Sequence, residues 1–262
     1  MENVVILGCA RSGTSMLAEV FHRSGYHLGP ELMGPKEGNP HGYFESREVE
    51  AINEDLLDEC VPPRPAGRGA RLRRFWHMRR PNRPRRWLLA LRRLPKLKGS
   101  DATDARIEAL AARQPFCFKD PRFVHTLPYW ERRLPPLRRI CVFRAPLETA
   151  ASVRREMKAA GHEREVRLSD RRLVALWARN YRRALDQAAG GKPMLFVHYA
   201  DLLDGGARPA VEAAAGGSLD WSGVEPGLRR SGGAGGRAPR AVRALYRELL
   251  ARSGRFGSET ET

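Results

Sequence analysis

The sequence predicts an α/β protein of three layers, α/β/α, with a mostly parallel central sheet. Three observations predict it. Short apolar runs of β-formers recur at residues 4–7, 116–118, 140–143 and 194–197. Longer segments with apolar residues at helical spacing stand between them, as crossover helices between parallel strands require. Each run ends on a glycine or a polar residue (Gly8, Lys119, Arg144, His198), and residues at the carboxyl ends of parallel strands face the ligand crevice.

The first of these units is the most informative. Val4-Val5-Ile6-Leu7 stops at Gly8, and Met16, Leu17, Val20 and Phe21 then take up helical spacing. Strand, tight turn and helix in that order gather backbone N–H groups at a helix N-terminus, a ready seat for a phosphate. Residues 8–15, Gly-Cys-Ala-Arg-Ser-Gly-Thr-Ser, nearly spell the triphosphate loop G-x-x-x-x-G-K-[ST], but Thr14 stands in place of the lysine. The cation of this loop is Arg11, three residues earlier. An ATP or GTP enzyme needs its lysine on the β/γ phosphates and a hydroxyl on Mg²⁺. A loop with the charge displaced suits a nucleotide phosphate that carries one more group to transfer, offset by Arg11 without a metal. The plain alternative is a glycine-containing turn that binds nothing.

The first helix should end at Ser24-Gly25, with Tyr26-His27-Leu28-Gly29 a short extended piece. Residues 30–43 are rich in Gly, Pro and Asn and read as a loop. The loop leads into His41-Gly42-Tyr43-Phe44-Glu45, after which Ser46 reads as the N-cap of a helix carrying Val49, Ile52, Leu56 and Leu57. Glu45 therefore lies just ahead of a helix N-terminus, where a carboxylate is favoured; capping help alone would explain it, and His41 could be an idle loop histidine. At 61–99 prolines and glycines give way to arginines interleaved with Phe75, Trp76 and Trp87, with a short amphipathic helix beginning at Trp87. That composition suits a flexible lid over an anionic or aromatic acceptor. A solvated insertion and a nucleic-acid surface are the alternatives.

A helix at about 102–113 precedes the strand ending in Lys119-Asp120-Pro121-Arg122, and the next helix, through Phe123, Leu127 and Trp130, is limited or kinked by Pro128. The strand at 139–143 ends in Arg144. Pro146 opens a helix, with Ser152 about two turns on. A Walker-type metal site would want an aspartate after such a strand; an arginine there binds anion instead. Ser169-Asp170 caps a long helix with Leu173, Leu176, Trp177, Asn180, Ala184 and Leu185 on one side. The strand at 194–197 ends in His198-Tyr199-Ala200-Asp201. A helix at 207–215, a glycine-rich stretch at 232–236, a last helix at 238–252 and a disordered tail after Gly254 complete the chain.

At 262 residues and 42% hydrophobic content the chain can bury a real core. We read it as a single domain over 1–262 with the lid as an insertion. No apolar run reaches membrane-spanning length, no signal pattern precedes the first strand, and Cys9, Cys60, Cys117 and Cys141 are scattered without metal-ligand spacing. The expectation is a cytoplasmic protein with reduced thiols and no metal site. The net charge of +17 and pI near 10.7 fit an anionic partner, whether nucleic acid, anionic glycan or nucleotide. Arginine is spread along the whole chain with much Ala, Gly and Pro, so compositional bias accounts for part of the excess.

Residues 8–17 (Gly-Cys-Ala-Arg-Ser-Gly-Thr-Ser-Met-Leu), 38–45 (Gly-Asn-Pro-His-Gly-Tyr-Phe-Glu), Lys119-Asp-Pro-Arg122 and Arg144-Ala-Pro-x-x-x-x-x-Ser152 occur in the order found in bacterial sulfotransferases that use 3′-phosphoadenosine-5′-phosphosulfate (PAPS). Tyr199-Ala-Asp-Leu-Leu203 also resembles that family's late strand end, and the resemblance spans residues 3 to about 204. It implies a P-loop-like fold, PAPS as sulfuryl donor with 3′-phosphoadenosine-5′-phosphate (PAP) as product, and no metal. It implies that Arg11, Ser12, Gly13, Thr14 and Ser15 cradle the 5′-phosphosulfate, Arg144 and Ser152 grip the 3′-phosphate, and Tyr199 contacts the adenine region. By the same resemblance Glu45 is the base, with His41 second, and Lys119 steadies transition-state charge as a lysine does in tyrosine-protein sulfotransferases. The implied reaction is in-line O-sulfation of a glycan or small-molecule natural product. Two features depart from the cytosolic branch: Met16 stands where an adenine-stacking tryptophan lies, and the 232–236 glycines only faintly echo a late K-x-x-x-G-x-x-G motif. A P-loop small-molecule kinase and a basic nucleic-acid-binding module remain the competing readings.

Overall fold

Four parallel strands form one sheet among the described residues of the computed structural model, which are 1–35, 42–58, 60, 87–89, 91, 96–159, 169–224 and 236–255. They are β1 (Asn3–Leu7), β2 (Cys117–Lys119), β3 (Leu137–Phe143) and β4 (Leu195–His198), in the order β2-β1-β3-β4. β1 lies inside the sheet and is buried along its whole length. Its residues alternate between two apolar layers: Val5 and Leu7 enter one core cluster, Val4 and Ile6 the other. An interior strand covered on both faces needs a continuous apolar run, and Val-Val-Ile-Leu supplies it.

The helices divide accordingly. α1 (Thr14–Arg23) and α8 (Arg208–Ala215) pack with Val4 and Ile6 through Leu17, Phe21 and Val211. The opposite layer, with Val5 and Leu7, holds α2 (Arg47–Asp58), α3 (Asp101–Ala111), α4 (Phe123–Trp130), α5 (Pro146–Ala159), α6 (Asp170–Ala189) and α9 (Arg240–Arg252). A five-residue helix, α7 (Tyr199–Leu203), continues directly from β4. The three-layer parallel architecture agrees with the sequence expectation. From β1 the chain moves one way to β2, then returns past β1 to β3. Winding reverses at the β1/β3 gap, and open α/β sheets bind ligands in the crevice outside such a switch point.

Pro128 sits inside α4, where a proline deprives the carbonyl four residues earlier of its helical donor. That carbonyl, on Val124, accepts the Gln187 side chain from α6 at 2.9 Å, so the helix keeps its proline with the backbone satisfied. Ser46 precedes α2 as expected, and its carbonyl accepts Glu50 N–H at 2.9 Å. Its hydroxyl, however, donates to the Pro30 carbonyl at 2.7 Å: it ties down the preceding loop. The basic segment at 61–99 lies largely outside the described residues, but its end is core, with Leu88 and Leu89 fully buried. His41 and most of the 232–236 stretch also lie outside them.

His125 on α4 holds that end in place. Arg183 carries only donors, so Nδ1 accepts from it and the Nε2–H donates to the Leu89 carbonyl at 3.0 Å. The ring is therefore neutral, and burial, with the Arg183 charge beside it, holds its pKa down at about 3. Because this lies below the unfolded value of about 6.5, the unfolded chain takes up the proton first. The contribution is complete above about pH 6.5 and declines toward pH 3, by up to about 1.4 kcal/mol per pH unit. Urea unfolding between about pH 4 and pH 7 should show wild type losing stability faster on acidification than His125→Gln. Parallel curves would refute this.

No helix among the described residues is long and apolar enough to cross a membrane. α9 is built into the same core through Leu245 and Leu249, and Tyr246 meets His198, the last residue of β4, at 2.9 Å.

Candidate active site

The loop after β1 is shaped by backbone strain and close approach. Gly8 has φ +148°, and a Cβ there would collide with the Val142 carbonyl of β3. Gly13, the N-cap of α1, has φ +98°, and a Cβ there would come within 2.5 Å of the Tyr199 ring. Arg11 adopts φ 70° although it is not glycine, a conformation that costs an L-residue about 1–3 kcal/mol and persists where the surroundings impose it. α1 has no side-chain cap and no acidic residue in its first turn. Its leading N–H groups and the positive end of its dipole thus point into the crevice.

Tyr181 on α6 fixes this loop from beneath. Its hydroxyl accepts Cys9 N–H at 3.2 Å and lies 2.8 Å from both Ser12 Oγ and the Val142 carbonyl. A phenol has one proton, and a carbonyl can only accept. That proton goes to Val142, and the Ser12 hydroxyl donates to Tyr181. Ser12 is fully buried and its backbone N–H donates to the Cys9 carbonyl at 3.2 Å, so this residue, expected to cradle an anion, shapes the loop while the N–H groups after it face the crevice. Burial pushes the Cys9 thiol up to about 12, opposed by its contacts with Asn180 and Tyr181, which marks it as inert.

Among the described residues, three cations converge on the crevice, each with a carboxylate. Arg11 donates to Ser152 Oγ at 3.4 Å and lies 3.5 Å from Glu156 Oε2. Tyr43 donates to the other oxygen of Glu156. Lys119, at the end of β2 and buried, pairs with Glu45 and reaches Ser15 Oγ at 3.3 Å. Arg144, just past β3 and 5% exposed, donates to Glu148 Oε2 at 2.7 Å, and its guanidinium lies 4.3 Å from the centre of the Tyr199 ring. Trp177 donates to the Arg144 carbonyl at 2.9 Å, holding that backbone in place.

The structure thus brings together Arg11, Ser12, Gly13, Thr14, Ser15, Glu45, Lys119, Arg144, Ser152 and Tyr199; His41 lies outside the described residues. Two placements refine the expectations. Ser152, expected beside Arg144, is hydrogen-bonded to Arg11. Tyr199, expected toward an adenine, has its ring close to Gly13 and under the Arg144 guanidinium. Asp120 turns away from the crevice: it is fully buried, and Oδ2 accepts Arg122 NH1 at 3.0 Å. Arg122 also pairs with Glu50 and Glu54 of α2.

Sequence reasoning missed Tyr181, Tyr43, Glu148 and Glu156. Tyr181 lies one helical turn beyond Trp177 and reads only as core. Glu148, Ser152 and Glu156 do carry a signal, since a spacing of four on α5 puts them on one face.

Among known proteins, the model of the sulfotransferase family matches residues 3–206. No curated protein matches the chain. Sulfotransferase STF9 from Mycobacterium avium superposes with a TM-score of 0.50 at 12% identity, over 95% of this chain and 76% of that one. The sulfotransferase domain of the Synechococcus PCC 7002 olefin synthase gives 0.47 at 16% identity, over 99% and 89%. A sulfotransferase from Alicyclobacillus acidocaldarius gives 0.45 at 17%, over 97% and 94%. At these identities likeness concerns the fold alone, and of the three only the Mycobacterium avium enzyme is similar enough to bear on it. The family model, by contrast, spans most of the sequence, and by that match the chain belongs to the sulfotransferase family.

Proposed function

We propose that the chain transfers the sulfuryl group of PAPS to a hydroxyl of a glycan or small-molecule natural product, as one cytoplasmic domain over residues 1–262. One observation carries the reading. Two arginine-centred clamps, at Arg11 and Arg144, stand at the carboxyl ends of adjacent strands on either side of the switch point, with the Tyr199 ring against Gly13 of the first loop and under the Arg144 guanidinium. A donor with an anionic group at each end of an adenosine needs two such clamps. The donor set fits it: uncapped N–H groups at α1, guanidinium groups, and an ammonium on Lys119. The burial of α9 in the main core supports one domain, and four free cysteines support a reducing compartment.

When bound, PAPS supplies a sulfuryl group whose bond to the 5′-phosphate oxygen breaks as the bond to the acceptor oxygen forms. The residues supply position and charge, which dominate such in-line transfers. Arg11 and the N–H groups of Gly13 to Ser15 hold the 5′ end and offset charge on the departing oxygen. Arg144 holds the 3′-phosphate, with Ser152 between the clamps. Lys119 moves from Glu45 toward the transferring group, and Glu45, so released, accepts the acceptor's proton on its carboxylate. His41 is the second candidate for that role.

Calorimetry with PAP, with ATP and Mg²⁺, and with an oligonucleotide tests the reading. PAP should bind about tenfold or more tighter than either competitor. Preference for ATP with Mg²⁺ would make the chain a P-loop kinase; preference for the oligonucleotide would make it a nucleic-acid-binding module. A screen of hydroxyl-bearing acceptors with radiolabelled PAPS then identifies the acceptor.

A further inference from the structure

α5 presents Glu148, Ser152 and Glu156 at successive intervals of four, one stripe along the face toward the crevice. The two outer residues are the carboxylates paired with the clamp arginines: Glu148 with Arg144, Glu156 with Arg11. Nothing in the transfer chemistry calls for negative charge there. Both carboxylates sit where, on the PAPS reading, the donor's anions approach the same two guanidinium groups. A guanidinium as buried as Arg144 is costly without an anion.

We infer that Glu148 and Glu156 are positioning residues that serve as resident stand-ins for the donor's two anionic ends, neutralising Arg144 and Arg11 while the crevice is empty and competing with PAP for them. The inference rests on the PAPS reading and adds a role in product release. Binding exchanges a carboxylate for a phosphate at each clamp, and departure of PAP returns each carboxylate to its arginine. Glu156 has a fixed place to wait, because Tyr43 holds its other oxygen. Glu148 lies in the first turn of α5, where the helix dipole favours a carboxylate.

The competition predicts effects of opposite sign on the empty and occupied protein. Glu156→Gln and Glu148→Gln should each lower the melting temperature of the ligand-free protein by about 2–4 °C. Each should also tighten PAP binding by about fivefold or more. In steady state kcat and the KM for donor should fall together, the mark of a product that leaves more slowly. The Glu156→Gln effect should vanish in an Arg11→Ala background. A residue that merely supports the fold would lose stability and affinity together, so weakened PAP binding in these variants overturns the inference. Equal tightening with and without Arg11 overturns it too. Should Glu148→Gln fail to fold, Glu156→Gln decides alone, since Arg11 is the more exposed of the two arginines. Wild type that does not bind PAP would refute the parent reading; wild type that binds it, with no tightening in the variants, would refute this inference only.

Discussion

Replacing Arg144 with alanine should weaken PAP binding by about a hundredfold or more, while adenosine 5′-phosphosulfate loses less than about threefold. The difference arises from where the charge sits. Arg144 is almost fully buried, so its bonds to an anion form away from competing water, where a charge-assisted pair is strongest. Of the two nucleotides only PAP carries a 3′-phosphate; the clamp at Arg11 meets the 5′ end of both, so each variant is compared with wild type on the same nucleotide. Arg144→Lys should fall between wild type and alanine. An ammonium keeps the charge but not the planar fork, and it stacks less well over the Tyr199 ring. Isothermal titration with both nucleotides checks the claim. Equal losses would show that Arg144 acts on the fold and not on the 3′-phosphate.

Glu45→Gln should reduce kcat by about 10²–10⁴-fold and leave PAP affinity within about twofold of wild type. Glutamine keeps the shape and a hydrogen-bond acceptor for Lys119 but cannot take a proton. The ion pair with Lys119 sits at the mouth of α1, where Lys119 also reaches Ser15. Lys119→Met in parallel separates the two roles: loss of the ammonium should slow transfer without restoring anything to Glu45→Gln. Full turnover in Glu45→Gln would move the base to another residue, with His41 the next to substitute. Single-turnover transfer of label from PAPS reads both variants directly.

Much of this arrangement is legible in the sequence. The strand ends at Gly8, Lys119 and Arg144 are readable because a buried parallel strand must be apolar until it leaves the sheet, and the residues at its exit face the crevice. Pro146 is readable from helix-start chemistry, and Ser152 through the resemblance of the Arg144-Ala-Pro-x-x-x-x-x-Ser152 motif. Tyr181 is not, because its partner Cys9 is 172 residues away in sequence; a tyrosine on an apolar helical stripe carries no local mark of what its hydroxyl will meet. Glu156 carries only the faint mark of its spacing from Glu148 and Ser152. Glutamates on helices are common, and this one matters because Arg11, from a loop far earlier in the chain, lies 3.5 Å from it. In the arginine-rich segment, Leu88 and Leu89 are overshadowed by the charges preceding them, although they are what the core takes from it. Ser46 shows the limit of capping rules: it stands where the rules place it, but a nearby carbonyl wins its hydroxyl.

The Tyr199 ring has a consequence for how this chain and its relatives can diverge. Because the ring lies close to the backbone at Gly13 and also carries the Arg144 guanidinium, it ties the first loop to the second clamp. Position 13 is therefore closed to a side chain for as long as 199 keeps its tyrosine. A lineage that acquires a side chain at 13 must both trade the tyrosine for something smaller, losing the surface under Arg144, and absorb the strain of a left-handed backbone there.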